Sequence, residues 1–151
     1  MTTSNEWRIE QPARSTPELV LAINQLLPQL SDRASPVTLE RLEEMITAPS
    51  SHLFVAQDSD DRIGGMLTLA VFPILTGQRA WIEDVVVDAE LRGAGLGRLL
   101  TQRAILLARE LGVTTVDLTS RSGRVAAHRL YESVGFVVRD TSVYRFVVEA
   151  S

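Results

Sequence analysis

The stretch from Asp84 to Arg98, DVVVDAELRGAGLGR, constrains the fold more than any other. A β-branched run, Val85–Val87, passes through an arginine- and glycine-bearing loop straight into a helical pattern. Leu96, Leu99, Leu100, Leu107 and Leu111 recur on one helix face, and Gly112 ends the run. Thr114–Leu118 then reads as a buried strand. A strand, a helix and a strand joined this tightly form a right-handed crossover between two parallel strands. Helices cover such strands on both faces, so the pair is expected near the centre of its sheet.

The flanking sequence supplies the other elements. Trp7–Glu10 reads as a short strand. Thr16 and Pro17 give a cap and a first-turn proline to a helix over Pro17–Leu30, which Pro28 is expected to kink or end. Thr38–Ala48 repeats this logic with Leu39, Leu42, Met45 and Ile46 as its stripe. Leu53–Gln57, Ile63–Phe72 and Arg79–Val87 read as strands of an antiparallel meander, with a turn at Asp58–Asp61. Arg124–Val134 reads as a helix closed by Gly135, followed by strands at Phe136–Val138 and Val143–Val148. The expected fold is α/β (α+β), one domain over residues 1–151, with a mixed central sheet of about seven strands and helices on both faces.

Charge and composition exclude several classes. Lys+Arg is 15 against Asp+Glu 19, a net charge of −4, which argues against a general nucleic-acid binder. All the basic residues are arginines. The absence of cysteine removes a disulfide scaffold, a thiolate metal site and a cysteine nucleophile, and it fits a reducing cytoplasm. No metal is expected. The polar start, Met1–Glu6, lacks an apolar signal core, and no apolar run approaches the roughly 20 residues of a membrane helix. The expectation is a cytoplasmic protein without a membrane partner. Val143–Val148 is apolar and carries few charges, so its edge is expected to be covered by a second copy in a homodimer.

A glycine loop that opens a helix offers unpaired N–H groups at the positive end of the helix dipole, which suits a phosphate or pyrophosphate. Two familiar cradles fail here. The Walker A loop needs a lysine, and the chain has none. The dinucleotide fingerprint needs G-x-G-x-x-G, whereas this loop reads Gly93-x-Gly95-x-Gly97 and follows an antiparallel region. A third pattern, R/Q-x-x-G-x-G/A, matches at Arg92, Gly95 and Gly97. One helix and one strand later, Ala127–Phe136 reads AHRLYESVGF. Together these segments resemble the GNAT superfamily of acetyl-CoA-dependent N-acetyltransferases, most densely from Trp81 to Phe136.

The resemblance implies that the two parallel strands splay apart near Val85–Val87 at the cofactor site. Backbone groups of Val85, Val86 and Val87 would then bind the pantetheine arm of acetyl-CoA. The pyrophosphate would rest on N–H groups of Arg92, Gly93, Ala94, Gly95, Leu96, Gly97 and Arg98. The side chain of Arg98 reads equally as a phosphate contact or a solvated surface arginine. The family often carries Asn seven residues before the tyrosine of the second motif, and here Arg124 stands there. Arg124 has three readings: a CoA phosphate contact, an anion contact to substrate, or a plain helix-start arginine.

Tyr131 is the candidate acid for the departing thiolate. Glu83 and Asp84 precede the splayed strand, and their sequence context resembles the glucosamine-phosphate acetyltransferase branch. Either is a candidate base for the amine, and strand alternation predicts that they face opposite ways. The implied activity is acetyl transfer from acetyl-CoA to a small primary amine by direct attack in a ternary complex. The alternative is a non-catalytic acyl-CoA-binding or sensing module on the same fold. The acceptor wall is expected from segments 28–49 and 72–79. The Arg121–Arg129 segment suits either an acidic acceptor or CoA.

Overall fold

The computed structural model describes residues 6–149. Five strands form one sheet in chain order: β1 (Arg8–Glu10), β2 (Ser51–Gln57), β3 (Ile63–Ile74), β4 (Gly77–Val87) and β5 (Val116–Asp117). The first four pair antiparallel, and β4 pairs with β5 in parallel. The helices are α1 (Pro17–Leu30), α2 (Leu39–Thr47), α3 (Leu96–Glu110) and α4 (Val125–Val134).

Local chemistry sets most of these boundaries. Thr16 and Thr38 accept hydrogen bonds from the backbone N–H groups of Leu19 and Arg41, capping α1 and α2. Pro28 lies within α1 and does not end it; the helix runs on to Leu30. Asp58 closes the β2–β3 turn, its Oδ1 accepting from the N–H groups of Asp60 and Arg62 at 2.9 Å each. Asn24 on α1 holds the α1–α2 connection by donating to the carbonyl of Val37 and accepting from its N–H.

Two apolar layers sandwich the sheet. On one face Leu19, Ile23, Leu26 and Leu42 of α1 and α2 pack against Leu53, Val55, Met66 and Val86. On the other, Leu96, Leu100, Ala104 and Ala108 of α3 pack against Phe54, Ala56, Leu67, Leu69 and Ile82. The mixed sheet with helices on both faces is as expected from the sequence.

A bulge in β4 controls which residues reach each layer. Glu83 pairs with Thr68, and Val86 pairs with Met66, so Asp84 and Val85 together face the single residue Leu67. Asp84 takes a left-handed backbone, with φ of 52°. The extra residue shifts the phase of the strand. Ile82, Val85 and Val87 pack on the α3 side, whereas Val86 packs under α1 and α2.

The structure corrects three expectations. The sheet has five strands among the described residues, not about seven. Residues 136–138 and 143–148 form no strand; they find no ladder partner, and Val137, Val138, Val143, Tyr144, Phe146, Val147 and Val148 are exposed. Without those strands, β5 lies at the sheet edge and the parallel pair is not central. The parallel pairing lies at Ala80–Trp81 of β4 and does not extend to Val85–Val87, where the two strands were expected to splay.

Leu100 is fully buried where α3 meets the sheet. Leu100→Ala is expected to lower the unfolding free energy by about 2–5 kcal/mol, read from the midpoint of urea denaturation at unchanged slope.

Candidate active site

The parallel ladder between β4 and β5 ends at Trp81 and Asp117. Beyond that point β4 continues to Val87, whereas β5 stops. A cavity of about 510 Å³ lies there, lined from β4 by Ile82, Glu83, Asp84 and Val85. Leu118 to Arg121, after β5, line it too, with Arg124 and Tyr131 of the α4 region. Leu30 at the end of α1 and the C-terminal residues Val143 and Arg145 complete the wall.

Glu83 and Asp84 thus share one cavity, contrary to their expected separation on opposite strand faces. The reason is the bulge, which breaks the alternation at Asp84. Partial burial, and then the like charge of Asp84, raise the Glu83 carboxyl above its ordinary range. A carboxylate in that position is a stronger proton acceptor than one in open water.

Tyr131 stands on α4, half-buried, its ring edge-on to Phe136 with centroids 5.7 Å apart. Gly135, with φ of 121°, reverses the chain at the helix end, and the N–H of Phe136 donates to the carbonyl of Tyr131. This turn returns Phe136 onto the tyrosine. Burial raises the phenol above its ordinary value, and the positive charge of Arg124 partly offsets that rise. The phenol therefore keeps its proton at neutral pH and is available as a donor.

The glycine loop follows the far end of β4 and does not line this cavity. Its entry is pinned: the N–H of Asp88 donates to the carbonyl of Gly64, and that of Ala89 donates to Gln29 Oε1. Gly95 is the N-cap of α3 with φ of 82° and no side-chain cap. Gly93, with φ of 88°, and Gly95 both face open space where a Cβ would stand. The start of α3 is thus accessible to an anion.

The remaining residues of this stretch divide between exposed and structural positions. Arg92 and Ala94 are exposed, whereas Leu96 is buried in the core under α3. Gly97 meets a packing demand, since a Cβ there would approach Leu130 Cδ2 to 2.9 Å. Arg98 is exposed, and its guanidinium donates to Ser133 Oγ at 2.9 Å, tying α3 to α4. Val86 points into the α1–α2 core, leaving only its backbone for any ligand. Val87 packs against the α3 layer.

The structure brings Glu83, Asp84, Val85, Arg124 and Tyr131 into one cavity and sets residues 92–98 apart from it. Of the segments expected at the acceptor wall, the first contributes Leu30, whereas the β3–β4 hairpin at 72–79 does not line the cavity. Arg145 was not among the sequence candidates. Its signal is a single charge within the apolar run Val143–Val148. Among the described residues no group of His, Asp and Glu is arranged to hold a metal ion, and no helix is long and apolar enough to cross a membrane.

Residues 20–136 match the acetyltransferase (GNAT) family. The chain belongs to that family. It is 29% identical over 139 residues to an uncharacterized N-acetyltransferase, YhdJ, of Bacillus subtilis, covering 91% of this chain and 89% of that one. It is 46% identical over 59 residues to the mycothiol acetyltransferase of Nocardiopsis dassonvillei, a match that covers 39% of this chain but only 18% of that protein. The crystal structure of a Trypanosoma brucei acetyltransferase superimposes with a TM-score of 0.76 at 26% identity, over 94% of this chain and 100% of that one. Acetyl transfer is therefore the chemistry of the family around this fold.

Because Asp84 helps to raise the Glu83 carboxyl, Asp84→Asn removes a negative charge and eases ionisation of Glu83. The Glu83 titration is expected to move to lower pH in that variant, followed by carboxyl-carbon NMR. An unchanged midpoint would mean that the two carboxylates do not interact.

Proposed function

We propose that this chain transfers an acetyl group from acetyl-CoA to a small primary amine by direct attack in a ternary complex. The observation that carries this reading is the cavity where β4 outruns β5, which has Glu83 and Tyr131 on its walls. The two groups are tuned for opposite proton tasks. The Glu83 carboxyl, raised by partial burial and Asp84, takes the proton of the acceptor ammonium, directly or through water, so that the free amine attacks. Asp84 supplies a second negative charge to attract that ammonium. The Tyr131 phenol, raised by burial, donates toward the sulfur as charge develops there.

The residues fit acetyl-CoA. Gly93 and Gly95 leave the start of α3 open, and first-turn N–H groups suit a pyrophosphate. Arg92 is exposed beside them. The unpaired edge of β4 beyond Trp81 offers backbone groups of Val85 and Val87 to the amides of the pantetheine arm. With no cysteine in the chain, an acyl-cysteine intermediate is excluded and direct attack is the natural route. The same lack of cysteine fits a cytoplasmic setting.

A homodimer is part of the reading. Val143, Tyr144, Phe146, Val147 and Val148 expose apolar surface that a second copy would bury. Light scattering at micromolar concentration is expected to give twice the chain mass, and a monomer would remove this part alone.

The test of the activity begins with acetyl-CoA, which should raise the melting temperature through binding to the folded state. A turnover screen over amino sugars, polyamines, amino acids, aminoglycosides and peptide N-termini then identifies the acceptor class. Tyr131→Phe removes one hydroxyl and keeps the ring, so kcat should fall by roughly 10²–10⁴-fold with little change in CoA affinity. Full kcat in that variant would defeat the donor role. CoA binding without turnover of any amine would instead support an acyl-CoA-sensing module.

A further inference from the structure

The cavity holds two sets of charge that do not meet. Glu83 and Asp84 line it from β4, and Arg121, Arg124 and Arg145 line it from later segments of the chain. Arg8, Arg14, Arg41 and Arg62 each hold a carboxylate elsewhere in the fold. Among the described residues, Arg121, Arg124 and Arg145 form no ion pair and no side-chain hydrogen bond. The Glu83 carboxyl responds to its burial and to Asp84, but to none of the three arginines. A guanidinium in contact with it would lower its pKa. Positive and negative groups thus line one cavity without forming an ion pair among the described residues.

The three arginines are not equivalent. The charge of Arg124 reaches Tyr131, which sets it on the side where the thiol is expected. Arg121 belongs to the segment after β5 and also lines an adjoining cavity of about 400 Å³, together with Ser31, Asp32 and Arg33. Arg145 comes from the C-terminal segment. The glycine loop, the expected seat of the pyrophosphate, does not line this cavity. Two arginines from separate segments thus line a cavity that the glycine loop does not.

We infer that the acceptor carries an anionic group of its own, a carboxylate or a phosphate monoester, in addition to its amine. Arg121 and Arg145 hold that anion, and Glu83 faces the amine. The planar guanidinium offers paired donors to either anion, so both share one recognition chemistry. The polarity of the cavity then orients the acceptor with its amine toward Glu83 and Tyr131. This inference rests on the amine-transfer reading above.

The test uses matched pairs that differ in the anion alone: an amino acid with its carboxamide, and glucosamine 6-phosphate with glucosamine. Calorimetry measures binding of each member, and steady-state rates give kcat and KM. In at least one pair the anionic member is expected to bind, and to show a KM, about tenfold tighter than its neutral partner. The pair that shows the preference distinguishes carboxylate from phosphate. The double variant Arg121→Ala/Arg145→Ala should erase that preference by raising the KM of the anionic member toward that of its neutral partner. The Arg121→Lys/Arg145→Lys variant should restore part of it.

Equal binding within both pairs, or a preference that survives the double alanine variant, would overturn the inference. So would a loss of affinity for CoA but not for 3′-dephospho-CoA, which would assign these arginines to the cosubstrate. Anion-dependent binding without turnover would defeat the transfer reading and leave the anion subsite standing. Turnover without anion preference would defeat the subsite alone.

Discussion

Opposite Leu67 of β3, strand β4 presents two residues, Asp84 and Val85, where a regular ladder would present one. The backbone at Asp84 sits in the left-handed region, which costs a non-glycine residue roughly 1–2 kcal/mol. The cores on both faces hold it there: Ile82 is locked under α3 before the bulge, and Val86 under α1 and α2 after it. Removing the extra residue would turn one of these anchors to the wrong face. The bulge is therefore fixed by packing on both sides, and its by-product is a pair of adjacent carboxylates at one cavity.

The second constraint is the short reach of β5. It pairs with β4 through Ala80 and Trp81 and then ends. The rest of β4 keeps its β3 partner but has no β5 partner, so part of its backbone is open to a ligand. Further parallel pairing would close the space where the cavity lies. The bulge and the lost ladder occur on the same strand within a few residues, which puts the shifted carboxylates beside the opening.

Electrostatics at this opening follow from unequal burial. Glu83 and Tyr131 are both displaced upward, chiefly by loss of water, yet the consequences differ because their starting values differ. The raised Glu83 carboxyl is a stronger proton acceptor when ionised. Tyr131 stays protonated and remains a donor. A single physical cause, desolvation, thus prepares an acceptor and a donor in the same cavity.

Local sequence sufficed for the helices, because their signals lie within a few residues of one another. Thr16 and Thr38 cap α1 and α2, Gly95 opens α3, and Gly135 turns the chain back onto Tyr131. The antiparallel meander, the glycine loop and the Tyr131 motif were legible for the same reason. The meeting of Glu83 with Asp84 was not, because alternation is a local rule and the bulge is set by cores on two faces. The fate of the last segments was equally hidden. Residues 143–148 have strand-like composition, but a strand requires a partner, and β5 pairs only with β4 among the described residues. The sequence by itself supplied the candidate residues for proton transfer and anion binding. Tertiary structure alone decided which of them share a cavity, because that depends on ladder register and on where a ladder ends.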